Sequence, residues 1–424
     1  MRIASRSVRD SDHTFGNEEP RKGRKTTVTN TAVPVGLPTA GWLDPAELAC
    51  DPYPSYERLR RETPVAWAPA VKKVLISTFE GCSFGERHPE IFSSNVSGGT
   101  MAKALGGRPL IRKDDPEHAS ERAPMNRTLR PKQIMEIWAD KFEINARRYL
   151  AEMVSNSQGA ADLNAAYAAP LAAKNLCDMV GMPDVEPLDL ARWSVDFIAG
   201  TGNVLDRQDI WDRCERSRAE CDAALDETVA RLRRHPDPSI TSMLLEGGMA
   251  EDQVRNNIKL TISGGMNEPQ HMITNMVWLL DRSPDQKAAV LADPGLWKQA
   301  FTEAARLFSP IGMITRQTIA DVEIQGVAIP AGTQIGMILS SANRDSTQFT
   351  NPDQFDIHRP PGTNLAFGSG VHQCAGKWAA QKAIGDIAVP LLYRELPGLK
   401  RDKSQQEIWD GWVFRGLTSL PVVW

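Results

Sequence analysis

Between about Pro131 and Leu280, apolar residues recur three or four positions apart, the spacing that gathers them on one face of an α-helix. Breaks at Pro183, Gly200–Gly202, Pro236–Pro238 and Gly247–Gly248 divide this stretch into several helices. A short helix is predicted from Tyr53 to Glu62. Another opens at Asp115-Pro116-Glu117-His118, with proline near its first turn and acids at its N-terminal end. β-Branched, alternating segments at Val65–Trp67 and Val71–Ser77 predict a small sheet. Extended sequence returns at Asp321–Ile335, where Gly326 and Pro330-Ala331-Gly332 are turn signals. Residues 1 to 40 carry no such periodicity, are basic around Arg21, Lys22, Arg24 and Lys25, and read as a flexible N-terminal tail. The fold expected is mainly α (α+β): long helices with a minor β-sheet region, in a single domain spanning residues 41–424.

With 424 residues, 41% of them hydrophobic, the chain can bury a large core. A formal net charge of -4 leaves no electrostatic footprint for nucleic acid. The six cysteines, Cys50, Cys82, Cys177, Cys214, Cys221 and Cys374, are scattered without a Cys-x-x-Cys pair, which fits a reducing compartment. No run of about 18 apolar residues would span a membrane, and the basic N-terminus lacks the apolar core of a secretory signal. A soluble, cytoplasmic protein is expected.

The densest chemical signal is Phe367-Gly368-Ser369-Gly370-Val371-His372-Gln373-Cys374-Ala375-Gly376, running into the helix-forming Lys377-Trp378-Ala379-Ala380. Its glycines let a tight loop lie close against a flat object. A cysteine at a helix start meets free N–H groups and the positive end of the dipole, which favour the thiolate. A thiolate on haem iron pushes electron density outward and favours O–O cleavage. The stretch resembles the cysteine-ligand loop of the cytochrome P450 family, Phe-Gly-x-Gly-x-His-x-Cys-x-Gly, at Phe367, Gly368, Gly370, His372, Cys374 and Gly376. The resemblance implies the P450 fold around a buried haem b, Cys374 as axial iron ligand, O2 as co-substrate, and NAD(P)H electrons from a separate flavin or iron–sulfur reductase. The bacterial type rather than the membrane-anchored type is implied, with Arg122, Arg127, Arg130 and Lys377 as the basic docking side.

Other positions acquire roles through the same resemblance. His118 and Arg122, one turn apart on a helix, would anchor the haem propionates with Arg316 and His372, while Phe367, Gly368 and Gly376 cradle the cofactor. Glu303 and Arg306, three residues apart, would join Arg359 in a buried ion-pair set that locks the loop. Across the haem, Gly264 and Gly265 would leave room for oxygen and substrate. The family's usual acid–threonine pair is here replaced by Asn267 and Glu268, followed by Pro269. Proline lacks an N–H, so a kink is expected with the Gly265 carbonyl freed, and Glu268 becomes the candidate proton relay. Glu268 turned away and ion-paired, with Asn267 merely tying the kink, is the alternative.

The Gly-Gly-x-Asn-Glu-Pro pattern looks like the P450 subgroup that O-demethylates methoxyphenols such as guaiacol. Phe92-Ser93-Ser94-Asn95, Ile311-Gly312-Met313-Ile314-Thr315-Arg316 and Trp412-Val413-Phe414-Arg415-Gly416 carry the same likeness. A small aromatic substrate is thus implied, in an apolar pocket lined by Phe92, Leu260, Ile311, Thr315 and Phe414. The small residues Val96-Ser97-Gly98-Gly99 hint at room for a ring substituent. A terpene or fatty-acid hydroxylase, a reductase-independent peroxygenase and a non-catalytic haem binder are the alternatives.

Overall fold

The β-branched stretches flanking Pro69 form the hairpin that begins a five-stranded sheet. Its strands, β1 (Val65–Ala68), β2 (Lys73–Ile76), β3 (Phe92–Ser93), β4 (Ile314–Thr318) and β5 (Gln334–Met337), lie in the order β1-β2-β5-β4-β3. Only β2 and β5 run parallel, Val74 opposite Ile335 and Ile76 opposite Met337. Val65, Val74, Ile76, Phe92, Ile335 and Met337 pack together against one face of the sheet. Full burial of side chains of this kind stabilises by ~1.5–3 kcal/mol each. The computed structural model describes residues 36–203, 205–360 and 362–424. Most of the tail expected over residues 1–40 therefore lies outside the described residues. By Pro38 the chain is already engaged: the Trp67 N–H donates to the Pro38 carbonyl and the Ala40 N–H to the Trp67 carbonyl, each at 2.8 Å.

Seven helices matter for the site: α1 (Phe79–Arg87), α2 (Glu117–Leu129), α3 (Pro187–Thr201), α4 (Glu251–Gly265), α5 (Asn267–Arg282), α6 (Trp297–Leu307) and the short α7 (Lys377–Ala380). The predicted helix at Tyr53–Glu62 forms with those bounds. In the long periodic region, helices end at Val180, Thr201, Arg234 and Glu246, beside each predicted break. Thr78 caps α1 by accepting the Gly81 N–H at 3.2 Å, satisfying a donor the first turn cannot pair internally. The helices share a core that includes Trp138, Phe142, Tyr167, Phe197 and Phe301. The fold is mainly helical with small sheets. No helix among the described residues is long and apolar enough to cross a membrane.

The expected kink is a complete interruption. Helix α4 ends at Gly265, Met266 takes φ −104° and ψ −55°, and α5 begins at Asn267. Pro269 falls in the first turn of α5, where a missing N–H costs no intrahelical bond.

Candidate active site

Cys374 is presented by a loop tied at both ends. Its N–H donates to the Phe367 carbonyl at 2.9 Å, and the Gly368 N–H donates to Leu365 at 3.0 Å. Gly368 and Gly370 have φ of +62° and +66°, left-handed values that glycine adopts without strain. Backbone N–H groups of Gly376 and Lys377, at the start of α7, reach the thiol. Both pull the thiol toward the thiolate, the direction the sequence predicts, while burial is the larger effect and raises the Cys374 pKa above its ordinary value. Cys374 as a residue is nevertheless exposed.

Beneath this loop lies the buried charge set. Arg306 donates to both Glu303 oxygens at 2.7 Å, and Arg359 donates to Oε1 of Glu303 at 3.0 Å. The remaining Arg306 donors take the carbonyls of Asn343, Pro352 and Gln354. The Asn343 side chain then accepts the Leu365 N–H at 2.7 Å, linking the ion pairs to the segment that enters the cysteine loop. Asn343, fully buried, was not flagged by any sequence motif.

On the adjoining side, three guanidinium groups lie without a salt-bridge partner among the described residues. Arg122 donates to the Gln373 carbonyl at 2.6 Å and to Asn126. Arg316 donates to the Thr315 carbonyl at 3.0 Å, and Arg112 reaches the same carbonyl at 3.4 Å. Burial lowers the pKa of all three, that of Arg112 to about 10. The rings of His118 and His372 lie 4.0 Å apart, and His372 Nε2 pairs with Ser94 Oγ at 2.9 Å. Burial, Arg316, His118 and Arg122 push His372 down to about 3. His118 Nδ1 pairs with Asp115 at 3.1 Å, whereas its Nε2 is buried and unpartnered. Arg112 and Ser94 are additions to the expected set; Arg112 stands in no recognisable motif, and only its position before Asp115 could have suggested it.

The two glycines before the helix break serve different ends. A Cβ on Gly264, in the last turn of α4, would meet nothing within 4 Å, so this position borders open space. A Cβ on Gly265 would stand 3.0 Å from Leu176, so Gly265 admits a neighbouring helix instead. Asn267 also departs from its expected catalytic role. Its Nδ2 donates to Ser194 Oγ of α3 at 3.1 Å and its Oδ1 accepts from Gln270, which pins the side chain between helices. Glu268 has both carboxyl oxygens buried and unpartnered. Burial pushes its pKa up to about 8, and its charge contributes to raising that of Cys374. The ion-paired alternative for Glu268 is not what forms.

Of the expected pocket residues, Leu260 lies one turn before Gly264 on the same face of α4 and is half-buried. Ile311 and Phe414 meet through an antiparallel bridge, and Thr315 is half-buried on β4. Phe92 is a correction. The register of β3 turns it into the sheet core, 1% exposed, edge-on to Phe84 at 6.1 Å. Arg127 is drawn toward Glu246 at 3.5 Å.

A flat group with anionic arms fits this arrangement: an exposed cysteine on its loop, open space at Gly264, and three half-buried to buried guanidinium groups that form no salt bridge among the described residues. The family model for cytochrome P450 matches residues 288–385. The methyl-branched lipid omega-hydroxylase of Mycobacterium tuberculosis is 28% identical over 396 residues, 87% of this chain and 90% of the relative. The steroid C26-monooxygenase of Mycolicibacterium smegmatis is 30% identical over 356 residues, 82% of this chain and 86% of that one. The chain belongs to the cytochrome P450 family. The solved structure of CalO2 superposes with a TM-score of 0.81 at 26% identity, covering 90% of this chain and 98% of CalO2. P450 enzymes are monooxygenases that hold haem through a cysteine thiolate, use O2 and receive NAD(P)H-derived electrons from a separate reductase. The residues converging here fit that cofactor.

Proposed function

We propose that this P450 O-demethylates a small methoxy-aromatic compound of the guaiacol or alkylguaiacol type. Cys374 is the iron ligand in this reading. Arg112, Arg122, Arg316, His118 and His372 hold the propionates, and Phe367, Gly368 and Gly376 shape the cradle. Haem bound there supplies the oxidising chemistry of the family. Leu260, Ile311, Thr315 and Phe414 orient the substrate methyl group toward the space beside Gly264. Hydroxylation of that methyl gives a hemiacetal, which collapses to a phenol and formaldehyde. The balance is ArOCH3 + O2 + two electrons + two protons → ArOH + CH2O + H2O.

The observation that carries the reading is Glu268: an unpartnered, buried carboxylic acid at a helix interruption, with a pKa near 8 that keeps it protonated at neutral pH. An acid so held can deliver protons where water is otherwise excluded. Lipid and steroid hydroxylation by the relatives named above favours a second reading, in which the substrate is a fatty acid or terpene.

Titrating the ferric protein with guaiacol, alkylguaiacols, methoxybenzoates, camphor and laurate decides between them. A saturating low-to-high-spin shift with methoxyphenols, and formaldehyde released in step with NAD(P)H oxidation, is expected. A shift with laurate or camphor alone would discard the demethylase reading and leave the haem enzyme. Cys374→Ala is expected to lose the thiolate spectrum entirely; retained thiolate ligation would sink the ligand assignment.

A further inference from the structure

Glu86, in the last turn of α1, is 5% exposed and takes no part in the chemistry above. Its carboxyl accepts a hydrogen bond from Ser369 Oγ at 3.2 Å and a second from the Ser369 backbone N–H. The fit with the cysteine loop is close. A Cβ on Gly368 would stand 2.7 Å from Glu86 Oε1, and one on Gly370 would stand 2.3 Å from the Glu86 carbonyl oxygen. The loop is therefore moulded around this residue. Glu86 and Arg316, which is buried on β4, also influence each other electrostatically.

We propose that Glu86 is a positioning residue for the thiolate loop, clamping the turn at Gly368–Gly370 while placing a titratable charge opposite Arg316. The inference rests on Cys374 being the iron ligand. The clamp and the charge are separable: the hydrogen bonds need an acceptor in either protonation state, whereas the field at the haem edge follows ionisation. Burial pushes the Glu86 carboxyl up to about 7. The groups facing it from its surroundings are Arg316 on β4 and Cys82 within α1; Cys82 is raised well above its ordinary value. His372, farther along the loop and pushed down to about 3, stays neutral near pH 7. As pH rises through 7, Glu86 gains negative charge, which stabilises the more positive ferric state, so the ferric/ferrous midpoint should fall.

Three variants of the holoenzyme test this. Glu86→Gln keeps an acceptor and removes the charge: its midpoint should match that of the wild type at pH 6, exceed it at pH 8, and lose most of the pH dependence. Ser369→Ala keeps the charge and loosens the turn: the ferrous–CO band near 450 nm should convert to the 420 nm form about tenfold faster, the effect of one lost hydrogen bond of ~1.4 kcal/mol. Glu86→Ala should show both effects. Equal midpoints for wild type and Glu86→Gln at both pH values would overturn the charge role. Unchanged conversion rates in Ser369→Ala would overturn the clamp. A wild-type protein without any 450 nm band would instead show that the Cys374 assignment, not Glu86, is at fault.

Discussion

The two sides of the interior space are built on opposite principles. On the cysteine side, the charges are matched several times over: Glu303 meets two guanidinium groups, and Arg306 adds three backbone carbonyls. On the side of the helix break, Glu268 meets no partner at all. A buried ion that is fully satisfied holds geometry, because every displacement breaks a bond; a buried acid left unsatisfied has protons to exchange and a shifted pKa. The pairing of a rigid face with a reactive one suits a cofactor that must be held on one side and supplied with protons on the other.

Breaking the rigid face should have the largest consequence. Glu303→Ala leaves Arg306 as an uncompensated buried cation, for which the expected loss is ~3–5 kcal/mol of stability. The denaturation midpoint of the apoprotein should drop, and haem uptake should fall with it because Asn343 no longer holds Leu365 in place. A variant as stable as the wild type would mean that the pairs only offset their own desolvation.

The reactive face answers to a milder change. Glu268→Gln keeps the shape and removes the exchangeable proton, so product formed per NAD(P)H consumed should fall by up to about a hundredfold, the modest end of general acid catalysis. The same substitution has a signed effect on stability. With the folded-state pKa at about 8 against an ordinary value of 4.5, the carboxyl favours folding below the unfolded value, and that contribution is lost as pH rises through 8. Wild-type apoprotein should therefore weaken relative to Glu268→Gln between pH 5 and pH 9 in urea melts. Parallel curves would show that Glu268 reaches water on opening and is not held dry.

The sequence was most readable where a function demands residues at fixed spacing. The loop from Phe367 to Gly376 and the Glu303, Arg306 and Arg359 set could be named from it because their geometry is largely local or runs in chain order. The helix break at Met266, three residues before Pro269, could be anticipated from one missing N–H. Contacts made through side chains distant in sequence were opaque. Nothing around Arg112, Asn343 or Glu86 marks them, since their partners, Thr315, Leu365 and Ser369, lie elsewhere in the chain. Phe92 misled for a related reason: its neighbouring residues resemble a pocket wall, but strand register, which aromatic content does not reveal, turned it into the sheet core. Asn267 lay at an expected catalytic position, yet Ser194 on a separate helix claimed its amide.

The smallest expected effect separates two adjacent glycines that the sequence treats alike. Alanine at Gly264 would meet nothing within 4 Å and would gain the helical preference that glycine lacks, so the apoprotein should become more stable by up to ~1 kcal/mol. The added methyl group would occupy the space into which a substrate must fit, and the spin-state titration should weaken while the melt improves. Alanine at Gly265 would press on Leu176 at 3.0 Å. A leucine tip can yield by a few tenths of an ångström, so stability should change little in either direction and the spin-state titration should not move. Stability and ligand response thus diverge at Gly264 and both stay near the wild type at Gly265. If the two variants behaved alike in the titration, the open space beside Gly264 would not be where the substrate binds.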